Sequence, residues 1–112
     1  MSKPNRFYSR KQEKKVAQAL DLNTTPNSGA TVFKKGDVEG EDILLECKTL
    51  TKKQKQMTIK KEWFDTNEEE AFATGKTLSA VAFNFGDGEN YYAVNERDFK
   101  NLLSAYREVT EE

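Results

Sequence analysis

The chain has 112 residues, one domain's worth, and with 36% hydrophobic against 33% charged residues its core must be lean and its surface wet. Histidine is absent and Cys47 is the only cysteine, which excludes serine–histidine and cysteine–histidine catalysis, an internal disulfide and a cysteine-built zinc site. Any chemistry therefore has to run on carboxylates, lysines, hydroxyls and bound hard cations.

At the N-terminus, MSKPNRFYSRKQEKK lacks the apolar stretch of a secretory signal, and no run of about 18 apolar residues follows that could span a membrane. An intracellular, cytoplasmic protein is the expectation. Ser9 reads as a helix cap with Gln12 three residues on, opening a helix to about Leu20. Its apolar stripe is Val16, Ala17 and Leu20, and Glu13 lies three, four and seven positions before them, on the same face. The turn-rich DLNTTPNSG follows, then a short β-prone run from Ala30 to Phe33. Glu39-Gly40-Glu41 reads as a hairpin turn into the clearest strand, Asp42 to Thr49. A period of two puts Ile43, Leu45 and Cys47 on one face and Leu44, Glu46 and Lys48 on the other. If the hairpin closes there, Asp37 lies near Glu46.

Beyond the lysine-rich TKKQKQM, a helix is expected from about Ile59 to Thr74, with Ile59, Trp63, Phe64, Ala71 and Phe72 inward and Gly75 as its stop. Leu78 to Phe85 reads as a central strand, GDGEN as a turn, and Tyr91 to Val94 as the returning strand. Asn95 caps a last helix with Asp98 at its N3 position and a stripe of Phe99, Leu102, Leu103 and Tyr106. The expected fold is α/β: one domain over 1–112, with a central mixed sheet flanked by helices. Charge divides along this order. Residues 1–61 carry 14 Lys and Arg against 7 Asp and Glu, and residues 62–112 carry 4 against 12. Such asymmetry suits a basic face for a polyanion, or an ordinary solvated surface.

Three carboxylates, Glu13, Asp37 and Glu46, are thus expected to converge with Lys48. Brought together they repel unless a cation neutralises them, and oxygen-only ligands favour Mg²⁺, with Mn²⁺ as a substitute. Such an ion polarises a phosphodiester and activates water, while Lys48 stabilises developing charge. Each residue also has a plainer reading. Asp37 after Gly36 is a common turn residue, Glu46 and Lys48 can form an ion pair on a solvated strand, and Glu13 can sit on a helix surface.

Gly36-Asp37-Val38, followed after eight residues from Asp37 by Glu46-Cys47-Lys48, resembles the signature of the PD-(D/E)XK nuclease superfamily. Within it the chain looks most like archaeal and phage-type Holliday-junction resolvases, which also place a Glu on the first helix, matched by Glu13, and a Ser-Gly before the first strand, matched by Ser28-Gly29. The resemblance covers roughly residues 9–85, and Gly36 stands where a Pro is often found. It implies a restriction-endonuclease-like αβββαβ core and a magnesium-dependent endonuclease that hydrolyses phosphodiesters in branched DNA. It also implies a homodimer, since symmetric cutting of a four-way junction needs two related sites, and compact stand-alone enzymes of this kind resemble phage-encoded ones. Asp37 and Glu46 would hold the metal with Glu13 and the Cys47 backbone carbonyl, Lys48 would assist the attacking water, and Ser28 would contact a phosphate near the scissile bond. Arg6, Arg10, Lys11 and Lys14, with Lys52, Lys53, Lys55, Lys60 and Lys61, are candidates to track DNA backbone. The alternatives are a nicking or flap endonuclease with the same site, a non-catalytic DNA-binding module on this scaffold, and a protein-interaction domain using the acidic half.

Overall fold

The computed structural model describes residues 5–25 and 37–111. In chain order the elements are helix α1 (Asn5–Leu20), strands β1 (Asn23–Thr24), β2 (Val38–Glu39) and β3 (Ile43–Thr49), helix α2 (Lys61–Ala73), strands β4 (Leu78–Asn84) and β5 (Asn90–Ala93), and helix α3 (Glu96–Glu111). The strands form one five-stranded mixed sheet in the order β1-β2-β3-β4-β5. All neighbours are antiparallel except β3 and β4, which run parallel with α2 as their crossover. The α/β reading of the sequence therefore holds. Among the described residues no helix is long and apolar enough to cross a membrane.

Helix α1 starts at Asn5, four residues before the expected cap, because nothing in Arg6–Tyr8 breaks a helix and Phe7 and Tyr8 pack edge-to-face at 5.4 Å. It closes by Leu22 N–H donating to the Ala17 carbonyl at 2.8 Å and Asp21 to Gln18 at 3.4 Å, with Asp21 taking φ +56°. Helix α2 ends in the same geometry. There Lys76 donates to Ala71 and Gly75 to Phe72, at 2.8 and 3.1 Å, and Gly75 has φ +76°, as its place after the helix led one to expect. The run Ala30–Phe33 lies outside the described residues. The strand next to β2 is instead Asn23–Thr24, immediately after α1.

The sheet is covered on both faces. Val16 and Ala17 of α1 pack on Leu45, Cys47, Ala80 and Ala82, with Val38 alongside. The opposite face carries Leu44 and Val81 beneath Ala71 and Asn67 of α2. Asn67, 1% exposed, donates its side-chain amide to the Leu44 carbonyl at 2.9 Å and the Ala80 carbonyl at 3.2 Å, fastening the crossover to both parallel strands. Two expected core positions of this helix are not core. Ile59 precedes α2, and Phe72, one residue and about 100° beyond the inward Ala71, is 85% exposed.

The β4–β5 turn is docked onto the lysine-rich segment after β3. Leu50 N–H donates to Asn84 and Gln54 N–H to Phe85, at 3.0 and 2.9 Å. Gly86, at φ +90°, is so close to Lys52 that a Cβ would meet its carbonyl oxygen at 2.4 Å. Helix α3 begins as the sequence suggests, with the Asn95 side chain accepting from Asp98 N–H at 2.8 Å. Its stripe does not turn inward, however: Phe99, Leu102 and Tyr106 are 56%, 45% and 67% exposed.

Candidate active site

Val38 pairs with Leu45 and Glu39 with Leu44, so the hairpin closes in the expected register and sets Asp37 beside Glu46. Asp37 is fixed at both ends. Its N–H donates to the Leu45 carbonyl at 2.8 Å, and its carboxylate oxygen Oδ2 accepts from Cys47 N–H at 2.8 Å. Asp37 is thus more than a turn residue, because its side chain replaces a missing ladder bond on β3.

Glu13 comes to Asp37 from α1. The two carboxyl groups lie close enough to interact through charge and hydrogen bonding, which favours the protonated form of Glu13. Burial, the charge of Asp37, that hydrogen bond and the charge of Glu46 together push Glu13 up to about 7, with Arg10 opposing. Glu46 is buried on the other face of the sheet, because strand alternation separates it from Cys47 beneath α1. Its Oε1 lies 3.4 Å from Lys48 Nζ, and that ammonium stands 5.1 Å from the centre of the half-buried Trp63 ring on α2. The expected ion pair therefore forms in a packed setting. Trp63, expected to face inward, serves it as a cation–π wall.

Glu13 stands on the α1 side of the sheet, Glu46 on the α2 side, and Asp37 lies between them at the start of β2, which is flanked by β1 and β3. As the side chains stand, no group of three or more acidic or thiol ligands among the described residues is arranged to hold a metal ion. Glu13 and Asp37 close on each other while Glu46 pairs with Lys48. The chemistry of the donor set nevertheless fits a hard cation, for oxygen-only carboxylates whose mutual repulsion helps raise Glu13 are what a divalent ion would neutralise. Cys47 contributes no thiolate. Burial first, then the charges of Asp37, Glu13 and Glu46, hold its thiol protonated far above the ordinary range, with Lys48 partly opposing. Only its backbone carbonyl is available to an ion.

One consequence can be measured on the metal-free protein. Glu13 is raised from 4.5 to about 7 on folding, so the folded state holds this proton more tightly than the unfolded chain. The associated stabilisation is fully present below 4.5 and is lost as pH rises through about 7. Because the group is partly solvated, about 1–2 kcal/mol is the expected size. In EDTA, the melting temperature of the wild type should fall across this window relative to Glu13→Gln. Parallel pH profiles would refute the coupling.

Sequence reasoning placed Gln12 only as a capping partner of Ser9, but Ser9 lies inside α1 and Gln12 is 4% exposed. Its side-chain nitrogen donates to the Lys48 carbonyl at 2.9 Å, to Asn90 Oδ1 at 3.0 Å and, more weakly, to the Ala82 carbonyl at 3.4 Å. Asn84 donates to the same Asn90 oxygen at 3.2 Å and accepts from Gly86 and Gly88 at 2.8 and 3.3 Å. This network ties α1 to β3, β4 and β5 one residue before Glu13. A polar residue on the helix's buried stripe was the available signal. Gln12→Ala should cost about 1–3 kcal/mol in a urea melt and loosen Glu13's approach to Asp37. A change under 0.5 kcal/mol would show that the network is incidental.

The basic residues divide. Arg6, Arg10, Lys11 and Lys14 are exposed on α1, and Lys11 borders a cavity of about 300 Å³ with Lys15, Thr49, Thr51 and the β4–β5 turn. Lys52, Lys53 and Lys55 are exposed on the segment docked against that turn, and Lys60 is exposed before α2. Lys61 is committed to Asp65 at 2.7 Å. Ser28 lies outside the described residues. Also unforeseen is an aromatic cluster beside Lys48. Phe83, its register partner on β4, stacks on Tyr91 at 5.7 Å, and Phe85 meets both edge-on. Its trace in the sequence is the i, i+2 spacing of Phe83 and Phe85 across a turn from Tyr91. Comparison with known proteins finds no family model, no curated protein and no solved structure that matches the chain.

Proposed function

We propose that this chain is a metal-dependent endodeoxyribonuclease of restriction-endonuclease-like fold, acting on branched DNA as a Holliday-junction resolvase. The observation that carries the reading is Glu13 of α1 drawn up to Asp37 at the start of β2, with the Glu46–Lys48 ion pair of β3 beside them. A purely structural use of these residues would not require carboxyls to be crowded until Glu13 is raised by its neighbours' charge. The helix–strand–hairpin–crossover order is compatible with the core that the motif resemblance implies, and the exposed basic residues of α1 and the 52–55 segment suit contacts to phosphate.

Mg²⁺ or Mn²⁺ would be held by Asp37, Glu46 and Glu13 with the Cys47 carbonyl, and when bound would polarise the phosphodiester and lower the pKa of its water. The chain's own groups do the remainder. Lys48, kept in place by Glu46 and the Trp63 ring, holds a positive charge where negative charge develops on the phosphate oxygens. Glu13, titrating near neutrality, can exchange a proton at the edge of the site under the conditions in which such an enzyme works.

The test is cleavage of a labelled synthetic four-way junction beside linear duplex and flap DNA, with Mg²⁺ or EDTA. Paired nicks across the junction, dependent on Mg²⁺ and absent on duplex, support a resolvase. Cutting confined to flaps supports a structure-selective nuclease of another substrate shape. Binding to junctions with no cutting in Mg²⁺ or Mn²⁺ would replace catalysis by a DNA-binding module.

A further inference from the structure

Helix α3 leaves its apolar side uncovered. Phe99, Leu102, Tyr106 and Val109 are 56%, 45%, 67% and 70% exposed along one stripe, and Leu103 beside them is half-buried. The helix starts at the rim of a groove of about 960 Å³, where Arg97 meets Phe72, Leu78 and Ala71. Phe72 on α2 is also 85% exposed. The α3 stripe alone leaves an apolar patch of several hundred Å² in water, the size that on a monomer commonly marks an interaction surface.

We propose that this surface is where a second copy of the chain docks, through antiparallel pairing of the two α3 helices about a two-fold axis at Leu102–Leu103. The stripe is self-complementary in that arrangement. Phe99 of one copy packs on Tyr106 of the other, and Leu102 on Leu103, with each layer repeated by the axis. Charge complements it as well. Glu96 and Arg107 are 11 residues, about three turns, apart and so share one flank of the stripe without reaching each other. In the antiparallel pair, Glu96 of each copy comes level with Arg107 of the other to within about two residues, giving two symmetric ion pairs. The helix dipoles also oppose favourably. A parallel pair would turn that flank of the two copies to opposite sides of the interface, so Glu96 and Arg107 could not meet. The resolvase reading also expects a dimer, but the choice of surface rests on α3 alone, and no residue of the carboxylate site takes part.

Sedimentation velocity across the micromolar range tests it. Wild type is expected to be a dimer, and Leu102→Glu a monomer with unchanged helical circular dichroism and dimer affinity reduced at least a hundredfold. Glu96→Arg and Arg107→Glu should each weaken the dimer several-fold, and the double exchange should restore it, a result available only to an antiparallel pair. A wild type that stays monomeric would assign the face to some other occupant and overturn the proposal. So would a dimer indifferent to Leu102→Glu, or single-charge variants that the double exchange fails to rescue.

Discussion

Asp37→Asn is expected to abolish magnesium-dependent cleavage of a four-way junction, by about a thousandfold or more, while leaving the fold intact. Asn keeps an oxygen that accepts from Cys47 N–H, so the 2.8 Å bond that closes the hairpin survives. What it removes is the charge. The site loses one of the three carboxylates proposed to hold a cation, and Glu13 keeps the burial that raises it most but loses the charge of Asp37 that adds to it. The variant should therefore melt near the wild-type temperature in EDTA, show a weaker form of the pH dependence assigned to Glu13, and gain little from Mg²⁺. Retained cleavage would remove Asp37 from the reaction. Loss of both cleavage and folding would leave its role structural, and Glu46→Gln, which leaves the hairpin bond untouched, then decides whether the carboxylates work as a set.

Asp98→Ala is expected to cost about 2–3 kcal/mol in a urea melt, a large share of the roughly 5–15 kcal/mol that holds a small domain together. Asp98 is 0% exposed. Strand β5 covers β4 only from Val81 to Asn84, so the Ser79 N–H further back has no β5 residue opposite it. The Asp98 carboxylate supplies the acceptor instead, at 3.2 Å, and meets Arg97 Nε at 3.3 Å while sitting in the first turn of α3. Truncation orphans the Ser79 donor, weakens the helix start and opens a small void. Asp98→Asn should lose less, about 1 kcal/mol, since an acceptor remains. Equal losses for the two variants would show that charge, not the hydrogen bond, is what counts.

Local signals in the sequence carried much of the fold. The hairpin at Gly40, the alternation along Ile43–Thr49, the stop at Gly75 and the cap at Asn95 are each set by neighbours within a few residues, and each is found where expected. The spatial meeting of Glu13 with Asp37 was also legible, because it follows from one helix stripe and one hairpin register. Three features were not. Gln12, Asn67 and Asp98 are polar residues that the chain buries against distant carbonyls and amides; the stripe position of Gln12 and the capping position of Asp98 hinted at a role, but not at partners 19 to 78 residues away. Phe72 shows the opposite failure. Hydrophobicity alone put it inside, but the helix phase fixed by Asn67 and Ala71 turns it out. The α3 stripe was read correctly as amphipathic, and only the tertiary structure shows that its own chain does not cover it.

Gly86 lies where even a methyl group would collide with the Lys52 carbonyl. The segment bearing Lys52, Lys53 and Lys55 is therefore moulded onto a hairpin turn and bonded to it at Leu50 and Gln54. Lysine-rich loops commonly gain their electrostatic attraction at the cost of becoming ordered when a polyanion arrives. Here the backbone under those charges is ordered by folding itself, so most of the conformational freedom lost on contact is confined to the side chains. On the proposed reading, a basic surface of modest charge would then hold a phosphate backbone more firmly than its lysine count alone suggests.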